Sequence, residues 1–277
     1  MAEKTHQGEV AGTHWNPNQY LKFADHRLRP ALELLDRVPL ASPRVIYDLG
    51  CGSGNVTRLI AKRWPHATVY GLDNSPDMLA KSASESSHIR WVEADIRHWS
   101  PDQAPDLIYS NAALQWIDGH HDLFPRLMRF VAPSGCLAVQ MPLSWDINSH
   151  RLMRDTLHDG GPGGTPLGDD MLRFAVARKW VDSADVYYDL LAGSASSVDI
   201  WETEYLQILD GEDPVLEWVK STGLRPIMHD LDAASREVFL ATYCQRLRHA
   251  YPTRPNGRTL YPFRRLFIVA LRAAHRN

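Results

Sequence analysis

The sequence predicts an α/β protein built on a mostly parallel β-sheet with helices on both faces. Short apolar runs with strand character alternate with single helical segments across residues 45–142, and strands joined through single helices form parallel sheets covered on both faces. A glycine-rich stretch follows the first strand, where such sheets bind ligands. After residue 142 the pattern changes to helices around two late strands, which predicts a seven-stranded sheet with a helical insertion.

The first half of the chain contains five predicted strands, at 45–48, 68–73, 89–94, 107–110 and 135–141. Helices are expected at 56–64, from Ser75 onwards and at 123–131. Ser75 suits the N-cap position of its helix, and Pro76 suits the first turn. Before the first strand, residues 15–37 have helical periodicity, which we expect Pro30 to interrupt.

The second half contains predicted helices at 148–158, 169–181, 183–191, 214–222 and 233–250, and strands at 198–209 and 266–271. The run GGPGG at 160–164 predicts a flexible break. We therefore expect one domain over residues 1–277. Within it, residues 15–142 form an N-terminal helix and ligand-binding core. Residues 143–182 and 210–262 form helical lid insertions around the late strands 198–209 and 265–272.

Composition is that of an ordinary globular protein, with 277 residues, 44% of them apolar, and a formal net charge of −3. This charge predicts no affinity for nucleic acid or for an anionic membrane. No apolar run is long enough to cross a bilayer, and the start lacks the apolar core of a signal peptide. Cys51, Cys136 and Cys244 are too far apart for a CxxC pattern. We expect a cytoplasmic protein without a metal.

Charges are unevenly distributed along the chain. Residues 182–217 contain ten acidic residues and no Lys or Arg, whereas residues 221–277 contain ten Arg and three acidic residues. Three interpretations remain open: solvated helix faces, mutual pairing of the two segments, or convergence of some arginines on an anionic substrate. The interspersed acids and the negative net charge disfavour nucleic-acid binding by these arginines.

The stretch VIYDLGCGSGN places three glycines directly after the first predicted strand. Gly50, Gly52 and Gly54 have the spacing G-x-G-x-G, whereas the dinucleotide-binding fingerprint is G-x-G-x-x-G. Asp48 precedes them by two positions, and its carboxylate would repel a pyrophosphate but suits a cationic amine. S-adenosylmethionine has an ammonium, a sulfonium and no phosphate. The order of acid and glycines therefore favours S-adenosylmethionine over a dinucleotide.

Two further acidic residues follow the second and third predicted strands. Asp73 lies where an acid accepts hydrogen bonds from ribose hydroxyls, a feature shared with nicotinamide cofactors. Asp95 follows the third strand beside Ile96, where we expect it to accept the adenine amino group. Three acids at three successive strand ends are more specific than any one of them, and they strengthen the prediction of an S-adenosylmethionine site.

These residues resemble the class I S-adenosylmethionine-dependent methyltransferases over about residues 44–142. A closer resemblance, to the members of that superfamily that esterify trans-aconitate, extends over nearly the whole chain. It is carried by the segments WNPNQYLKFADHRLRPALELL, VEADIRHW, NAALQWI, LAVQMP, VDIWETEY, WVKSTGLRP and RRLFIVA. The resemblance implies a Rossmann-like fold and transfer of a methyl group to a carboxylate of a small polycarboxylate. Residues 160–170 depart from the pattern, which leaves the conformation of the lid open.

The positions of these residues in the predicted fold, together with the resemblance, give a set of expected ligand-binding residues. The expected cofactor-binding residues are Tyr20, Asp48, Gly50, Cys51, Gly52, Gly54, Asn55, Asp73, Asn74, Met78, Asp95, Ile96 and Asn111. The expected substrate-binding residues are Arg27, Gln115, Trp116, Arg151, Arg225 and Arg265. Gln140 and Trp145 are further pocket candidates. Each substrate arginine has a structural alternative, such as pairing of Arg265 with a carboxylate from residues 182–217.

A carboxylate nucleophile suits the remaining residues. It needs no general base, because a carboxylic acid with a pKa of about 4 is ionised at neutral pH. Arginine forks suit the carboxylates that do not react. The sequence NAALQW replaces the Pro-containing box of DNA amino methyltransferases, and the histidines, His120 and His121 among them, are expected in exposed loops without ligand spacing. The alternatives are methylation of another small or carrier-bound acid, and a nicotinamide-dependent oxidoreductase.

Overall fold

The structure is a computed structural model that describes residues 24–85, 88–220 and 222–274. Its central feature is a seven-stranded sheet with the strand order β3-β2-β1-β4-β5-β7-β6. The strands are β1 Val45–Leu49, β2 Thr68–Asp73, β3 Arg90–Glu93, β4 Leu107–Asn111, β5 Cys136–Pro142, β6 Ala195–Leu209 and β7 Thr259–Arg272. Neighbouring strands from β3 to β5 are parallel, and β7 runs antiparallel to β5. The predicted fold class is confirmed.

Ten α-helices are described. They are α1 Ala24–Asp36, α2 Asn55–Arg63, α3 Pro76–Glu85, α4 His120–Phe130, α5 Asn148–Asp159, α6 Asp170–Ala177, α7 Ala184–Ala192, α8 Pro214–Lys220, α9 Arg225–Asp230 and α10 Ala233–Ala250. Single turns of 3₁₀-helix lie at Leu114–Trp116 and Pro162–Gly164. The short helix α9 was not predicted, because its six residues contain too little apolar periodicity to distinguish it from a loop.

The expected interruption at Pro30 is wrong, since α1 continues through this residue. A proline inside a helix costs roughly 3 kcal/mol. The residues that follow it, Ala31, Leu34 and Leu35, are buried, and full burial of one leucine contributes about 1.5–3 kcal/mol. Burial of this helix face against the sheet therefore offsets the proline.

Helices cover both faces of the sheet because successive strand residues point to opposite sides. On one face, Tyr47 and Leu49 of β1 belong to a core cluster with side chains of α4 and α7. On the other face, Ile46 belongs to a second cluster with side chains of α1 and α2. The second face also carries Asp48, whose position on β1 alternates with those of Tyr47 and Leu49.

The chain divides into two compact units. Among the described residues, the larger unit comprises 24–147, 178–209 and 260–274 and contains the sheet. The smaller unit comprises Asn148–Ala177 and Asp210–Thr259. In the smaller unit, the hydroxyl of Tyr251 accepts from the amide of Ser149, and the hydroxyl of Tyr243 donates to its carbonyl, both at 2.9 Å. These bonds join α10 to the start of α5. No helix in the described part of the chain is long and apolar enough to cross a membrane.

Candidate functional site

The glycine loop lies between β1 and α2, at the carboxyl end of the sheet. The amides of Gly50 and Cys51 both donate to the carbonyl of Leu72 on β2, at 2.7 and 2.9 Å. Gly50 has φ +73°, and a Cβ built on it would lie 2.2 Å from the Cβ of Ala113. Only glycine meets both conditions, because other residues rarely adopt this backbone and none would fit the space. The loop is therefore a backbone surface held against its neighbours.

Asp73, at the end of β2, holds the same loop. Its Oδ2 accepts from the amide of Gly52 at 2.8 Å, and its Oδ1 accepts from the amide of Ser75 at 2.9 Å. Ser82 of α3 donates to the carbonyls of Gly52 and Met78 at 3.0 and 2.9 Å. Sequence reasoning placed Asp73 at the site but missed Ser82 and the bond to Gly52, because no local pattern links these positions.

Asp48 lies beneath the loop and is only 2% exposed. Its Oδ2 accepts a hydrogen bond of 2.6 Å from the Oγ1 of Thr57 on α2. Burial raises the pKa of Asp48 to about 7, and the negative charge of Asp73 adds to this, while the bond from Thr57 opposes it. A cation beside this carboxylate would favour its ionised form. Thr57 was not singled out from the sequence.

Asp95, after β3, is engaged by its neighbour Arg97. The Nε of Arg97 donates to both carboxylate oxygens, at 3.1 and 2.9 Å, and its backbone amide donates to Oδ1 at 2.9 Å. The hydrogen bond from Arg97 is the main cause of the lowered pKa of Asp95. Asp95 is therefore a fixed carboxylate, while the next residue, Ile96, is buried.

Trp91 on β3 fills the space over two glycines. A Cβ on Gly54 would lie 2.4 Å from its Cη2, and a Cβ on Gly71 would lie 2.4 Å from its Cζ3. The indole Nε1 is buried and has no hydrogen-bond partner among the described residues. The strand glycine at position 71 was a usable signal for this packing, since glycine within a strand marks a close approach.

The end of β4 and the 3₁₀ turn after it present two buried amide oxygens. Asn111 Oδ1 and Gln115 Oε1 both lack a hydrogen-bond partner in the described part of the chain. The Nε2 of Gln115 donates to the carbonyl of Ala112 at 2.7 Å, which fixes the direction of its oxygen. Ala112 itself has φ +54°, an unusual value for a residue with a side chain. Trp116 in the turn is 49% exposed.

Gln140 on β5 and Arg265 on β7 form a buried pair. The Nη1 of Arg265 donates to the Oε1 of Gln140 at 3.1 Å. The guanidinium carbon lies 5.0 Å from the centre of the Phe263 ring. Gln140 is completely buried and Arg265 is 4% exposed. Gln140 also faces Asn111 across the strand pair, because the two residues are in register in the parallel β4–β5 ladder.

The other predicted site residues have varied surroundings. Asn55 begins α2 and accepts from the Nη2 of Arg58 at 2.8 Å. Met78 is buried on α3, and Asn74 before it is exposed. Tyr20 lies outside the described residues. Arg27 belongs to α1, but its side chain is not among those described.

Two predicted substrate arginines belong to the smaller unit. Arg225 is the first residue of α9, and partial burial lowers its pKa. Gly223, two residues earlier, packs on α5, because a Cβ there would lie 3.0 Å from the Nε2 of His150. Burial lowers the pKa of His150 to about 4, with Arg154 adding to the effect. Arg151 is exposed and donates to the Oδ1 of Asn148 at 3.0 Å.

Several C-terminal arginines pair with the acidic segment. Arg248 donates to both oxygens of Asp213 at 2.6 Å. The Nε of Arg258 donates to the Oδ1 of Asp210 at 3.0 Å. The Nη1 of Arg264 lies 3.9 Å from the Oε2 of Glu202. Mutual pairing of the two segments therefore accounts for these three arginines.

The expectation that His120 lies in an exposed loop is wrong. His120 is the first residue of α4 and is buried. Its Nδ1 lies 2.6 Å from the hydroxyl of Tyr187, and its Nε2 lies 2.9 Å from the carbonyl of Leu114. Both ring nitrogens of His120 therefore have hydrogen-bond partners, which removes the cost of burying this polar ring in the core. Among the described residues no group of three or more His, Cys, Asp or Glu side chains is placed to hold a metal ion.

Comparison with known proteins identifies similar sequences over most of the chain. A family model described as a methyltransferase domain matches residues 46–135. The trans-aconitate 2-methyltransferase of Pseudomonas paraeruginosa is 47% identical over 93% of this chain and 94% of its own length. The enzyme of that name from Streptomyces avermitilis is 48% identical over 94% of this chain and 97% of its own length.

Solved structures share the fold at low sequence identity. The YcgJ protein from Bacillus subtilis superposes with a TM-score of 0.55 and 10% identity, over 89% of this chain and all of that one. A phosphoethanolamine N-methyltransferase from Haemonchus contortus, in complex with S-adenosylhomocysteine, has a TM-score of 0.52 and 14% identity. That match covers 88% of this chain and 52% of the other.

Proposed function

The chain belongs to the trans-aconitate 2-methyltransferase family, and on this premise we propose that it transfers a methyl group from S-adenosylmethionine to a carboxylate of trans-aconitate, forming a monomethyl ester. The observation that carries the proposal is identity of 47% over 93% of the chain with a protein of that name. Such identity includes the segments outside the sheet, which matters because the sheet alone does not determine the substrate.

The residues at the carboxyl end of β1, β2 and β4 suit the proposed cofactor. Asn111 Oδ1 and Gln115 Oε1 are buried acceptors without a described partner, and the ammonium of the cofactor offers N–H donors. Asp48 is a buried carboxylate with a raised pKa, which a cation would stabilise in its charged form.

Asp73 already orders the loop through Gly52 and retains lone pairs for ribose hydroxyls. Asp95 and Ile96 are proposed to hold the adenine ring.

Bound S-adenosylmethionine supplies an electrophilic methyl group on a sulfonium that leaves as a neutral thioether. The protein then has to orient the acceptor and exclude water. An ionised carboxylate needs no general base, because its ordinary pKa of about 4 is far below neutral pH. The buried His120 is unsuited to that role, since both of its ring nitrogens already have partners.

For the substrate, we propose contacts with the residues expected from the sequence, which include Gln115, Trp116, Arg151 and Arg225. Arg27 and Arg265 are the remaining proposed cations. Arg225 is half-buried at the start of α9, and its planar fork suits a carboxylate in two parallel hydrogen bonds. The helical insertions at residues 143–182 and 210–262 are proposed as the substrate lid. A cytoplasmic location is proposed from the three free cysteines.

The test is a methyl-transfer assay with trans-aconitate beside a panel of tricarboxylic and dicarboxylic acids, with the ester identified by mass spectrometry. Turnover of trans-aconitate at the highest kcat/KM is expected. Absence of turnover with every acid would contradict the proposal. Titration with S-adenosylhomocysteine and NADH in parallel separates a methyltransferase from the oxidoreductase alternative.

A further inference from the structure

The amide of Gln140 has only one possible orientation. A guanidinium carries N–H donors and no acceptor, so the atom of Gln140 that faces Arg265 at 3.1 Å is the oxygen. The Nε2 must then point away from Arg265. It is buried and has no hydrogen-bond partner among the described residues. Leaving a buried polar group unsatisfied costs about 1–3 kcal/mol, so this donor indicates a missing acceptor.

The neighbouring strand contributes an unsatisfied group of the opposite kind. Asn111 is in register with Gln140, so both side chains project from the same face of the sheet. Asn111 Oδ1 is also buried and unpaired in the described part of the chain. The donor and the acceptor are neighbours but do not satisfy each other, so pairing them takes a third group. That group must present an acceptor to Gln140.

Arg265 on β7 adds positive charge next to Gln140. It is 4% exposed and lies against the ring of Phe263, itself 6% exposed. Interactions between charges are stronger in such a water-poor setting than at the surface. The subsite does not require an unpaired Arg265, because a guanidinium has five N–H donors and can serve a fixed partner and a ligand together.

We propose that Gln140 and Arg265 form a carboxylate subsite, in which Nε2 of Gln140 and the guanidinium donate to one ligand carboxylate. The inference rests on the proposed function, because two ligands of that reaction carry carboxylates: the acceptor acid and the amino-acid end of the cofactor. Donors lower the nucleophilicity of a carboxylate. An acceptor carboxylate held here is therefore one that does not react.

The primary test is Gln140→Glu, which keeps the size of the side chain and the acceptor facing Arg265. It replaces the donor with an anionic oxygen. The matched control is Gln207→Glu, because Gln207 on β6 is also buried and its Nε2 also lacks a hydrogen-bond partner in the described part of the chain. We measure KM and kcat for trans-aconitate, Kd for S-adenosylhomocysteine, and Kd for 5′-methylthioadenosine, which lacks the amino-acid end.

A rise of at least tenfold in KM with an unchanged Kd for S-adenosylhomocysteine supports the subsite and assigns it to the acceptor. A tenfold rise in Kd for S-adenosylhomocysteine, with no change for 5′-methylthioadenosine, supports it and assigns it to the cofactor carboxylate. The proposal is overturned if no constant changes by more than it does in Gln207→Glu. Should Gln140→Glu lose its cooperative thermal transition, Gln140→Met takes its place and is judged by the same criteria.

Arg265→Lys supplies a second readout, with Arg264→Lys as its control on the adjacent, partly exposed residue. Lysine keeps the charge but loses the fork, so the same constant is expected to rise by a smaller factor. Wild-type protein that turns over none of the acids refutes the proposed function. In that case Kd is measured directly for trans-aconitate, S-adenosylhomocysteine and 5′-methylthioadenosine. These three constants still decide whether Gln140 binds a carboxylate.

Discussion

Thr57 donates a 2.6 Å hydrogen bond to the buried carboxylate of Asp48, which joins the first turns of α2 to the end of β1. This bond satisfies one oxygen of a group that burial would otherwise keep neutral, since its pKa is raised to about 7. The pair therefore contains a carboxylate whose charge depends on pH near neutrality and on a neighbouring cation. Two predictions concern this charge.

The first prediction is that Asp48→Asn stabilises the ligand-free protein at alkaline pH. The folded pKa of about 7 is above the ordinary value of 3.8, so folded Asp48 retains a proton that unfolded Asp48 has lost. The contribution of protonated Asp48 to the stability of the wild type is therefore fully present below pH 4 and declines as pH rises towards 7. The variant lacks this decline. For a pKa difference of about 3 between the folded and unfolded states, the decline amounts to about 4 kcal/mol.

Urea unfolding at pH 5 and pH 8 measures the difference between wild type and Asp48→Asn. The difference is expected to favour the variant more strongly at pH 8 by about 2–3 kcal/mol, because part of the decline has already occurred at pH 5. Asp77→Asn, on the exposed surface of α3, is the control and should show no such change with pH. An equal difference at the two pH values would contradict the raised pKa of Asp48.

The second prediction concerns ligand affinity. Binding of a cationic ammonium requires ionised Asp48, so affinity for S-adenosylhomocysteine should fall below pH 7, by at most about tenfold for each pH unit. Calorimetry in buffers of different ionisation enthalpy should detect proton release on binding near pH 6.5. Asp48→Asn should bind more weakly at pH 8 and show no release. A variant with wild-type affinity would refute the role of Asp48.

The third prediction is that Asp73→Ala weakens binding of S-adenosylhomocysteine at least tenfold. The substitution removes the proposed ribose contact and the acceptor for the amides of Gly52 and Ser75. A hydrogen bond to a charged group contributes about 1.5–3 kcal/mol. Calorimetric Kd is the measurement, and Asp77→Ala, four residues further on in the first turn of α3, should leave it unchanged. Equal affinities of the two variants would be the contrary result.

The fourth prediction compares two glycines with similar backbones. Gly50 has φ +73° and Gly163 has φ +67°, but only at Gly50 does a Cβ meet a neighbour, at 2.2 Å. Gly163→Ala should cost about 1–2 kcal/mol from the left-handed backbone alone. Gly50→Ala should cost about 1–3 kcal/mol more because of the clash, and should abolish cofactor binding. Thermal unfolding and calorimetry measure both effects, and equal costs would show that the loop can move away.

The fifth prediction is that Arg225→Ala raises KM for trans-aconitate about tenfold or more and leaves Kd for S-adenosylhomocysteine unchanged. Loss of a charge-assisted contact to a carboxylate is the physical reason. Arg248→Ala is the control, since it removes the same type of side chain from α10, where Arg248 pairs with Asp213. An equal loss of cofactor affinity in Arg225→Ala would contradict its assignment to the substrate.

Much of the fold was predictable because strand and helix periods are local properties of the chain. The predicted strand 68–73 and the predicted helix 233–250 have the observed bounds. The strand at 266–271 was predicted too short, since the structure continues it from Thr259 to Arg272. Its first half includes Pro262 and Arg264, which lie outside the apolar run on which the strand prediction depended. The continuation of α1 through Pro30 was also not predicted. Burial of the helix face stabilises it more than the proline destabilises it, and burial is not a local property of the sequence.

The sequence by itself determined the glycine loop, the acids at successive strand ends and the whole-chain resemblance to a methyltransferase family, because these depend on residue types at short spacings. Only the tertiary structure decided which polar atoms meet. Gln140 and Arg265 are 125 positions apart, and strand register brings their side chains to one face of the sheet. Burial then leaves Nε2 of Gln140 without water, so a contact that no sequence pattern encodes becomes a reason to expect a ligand.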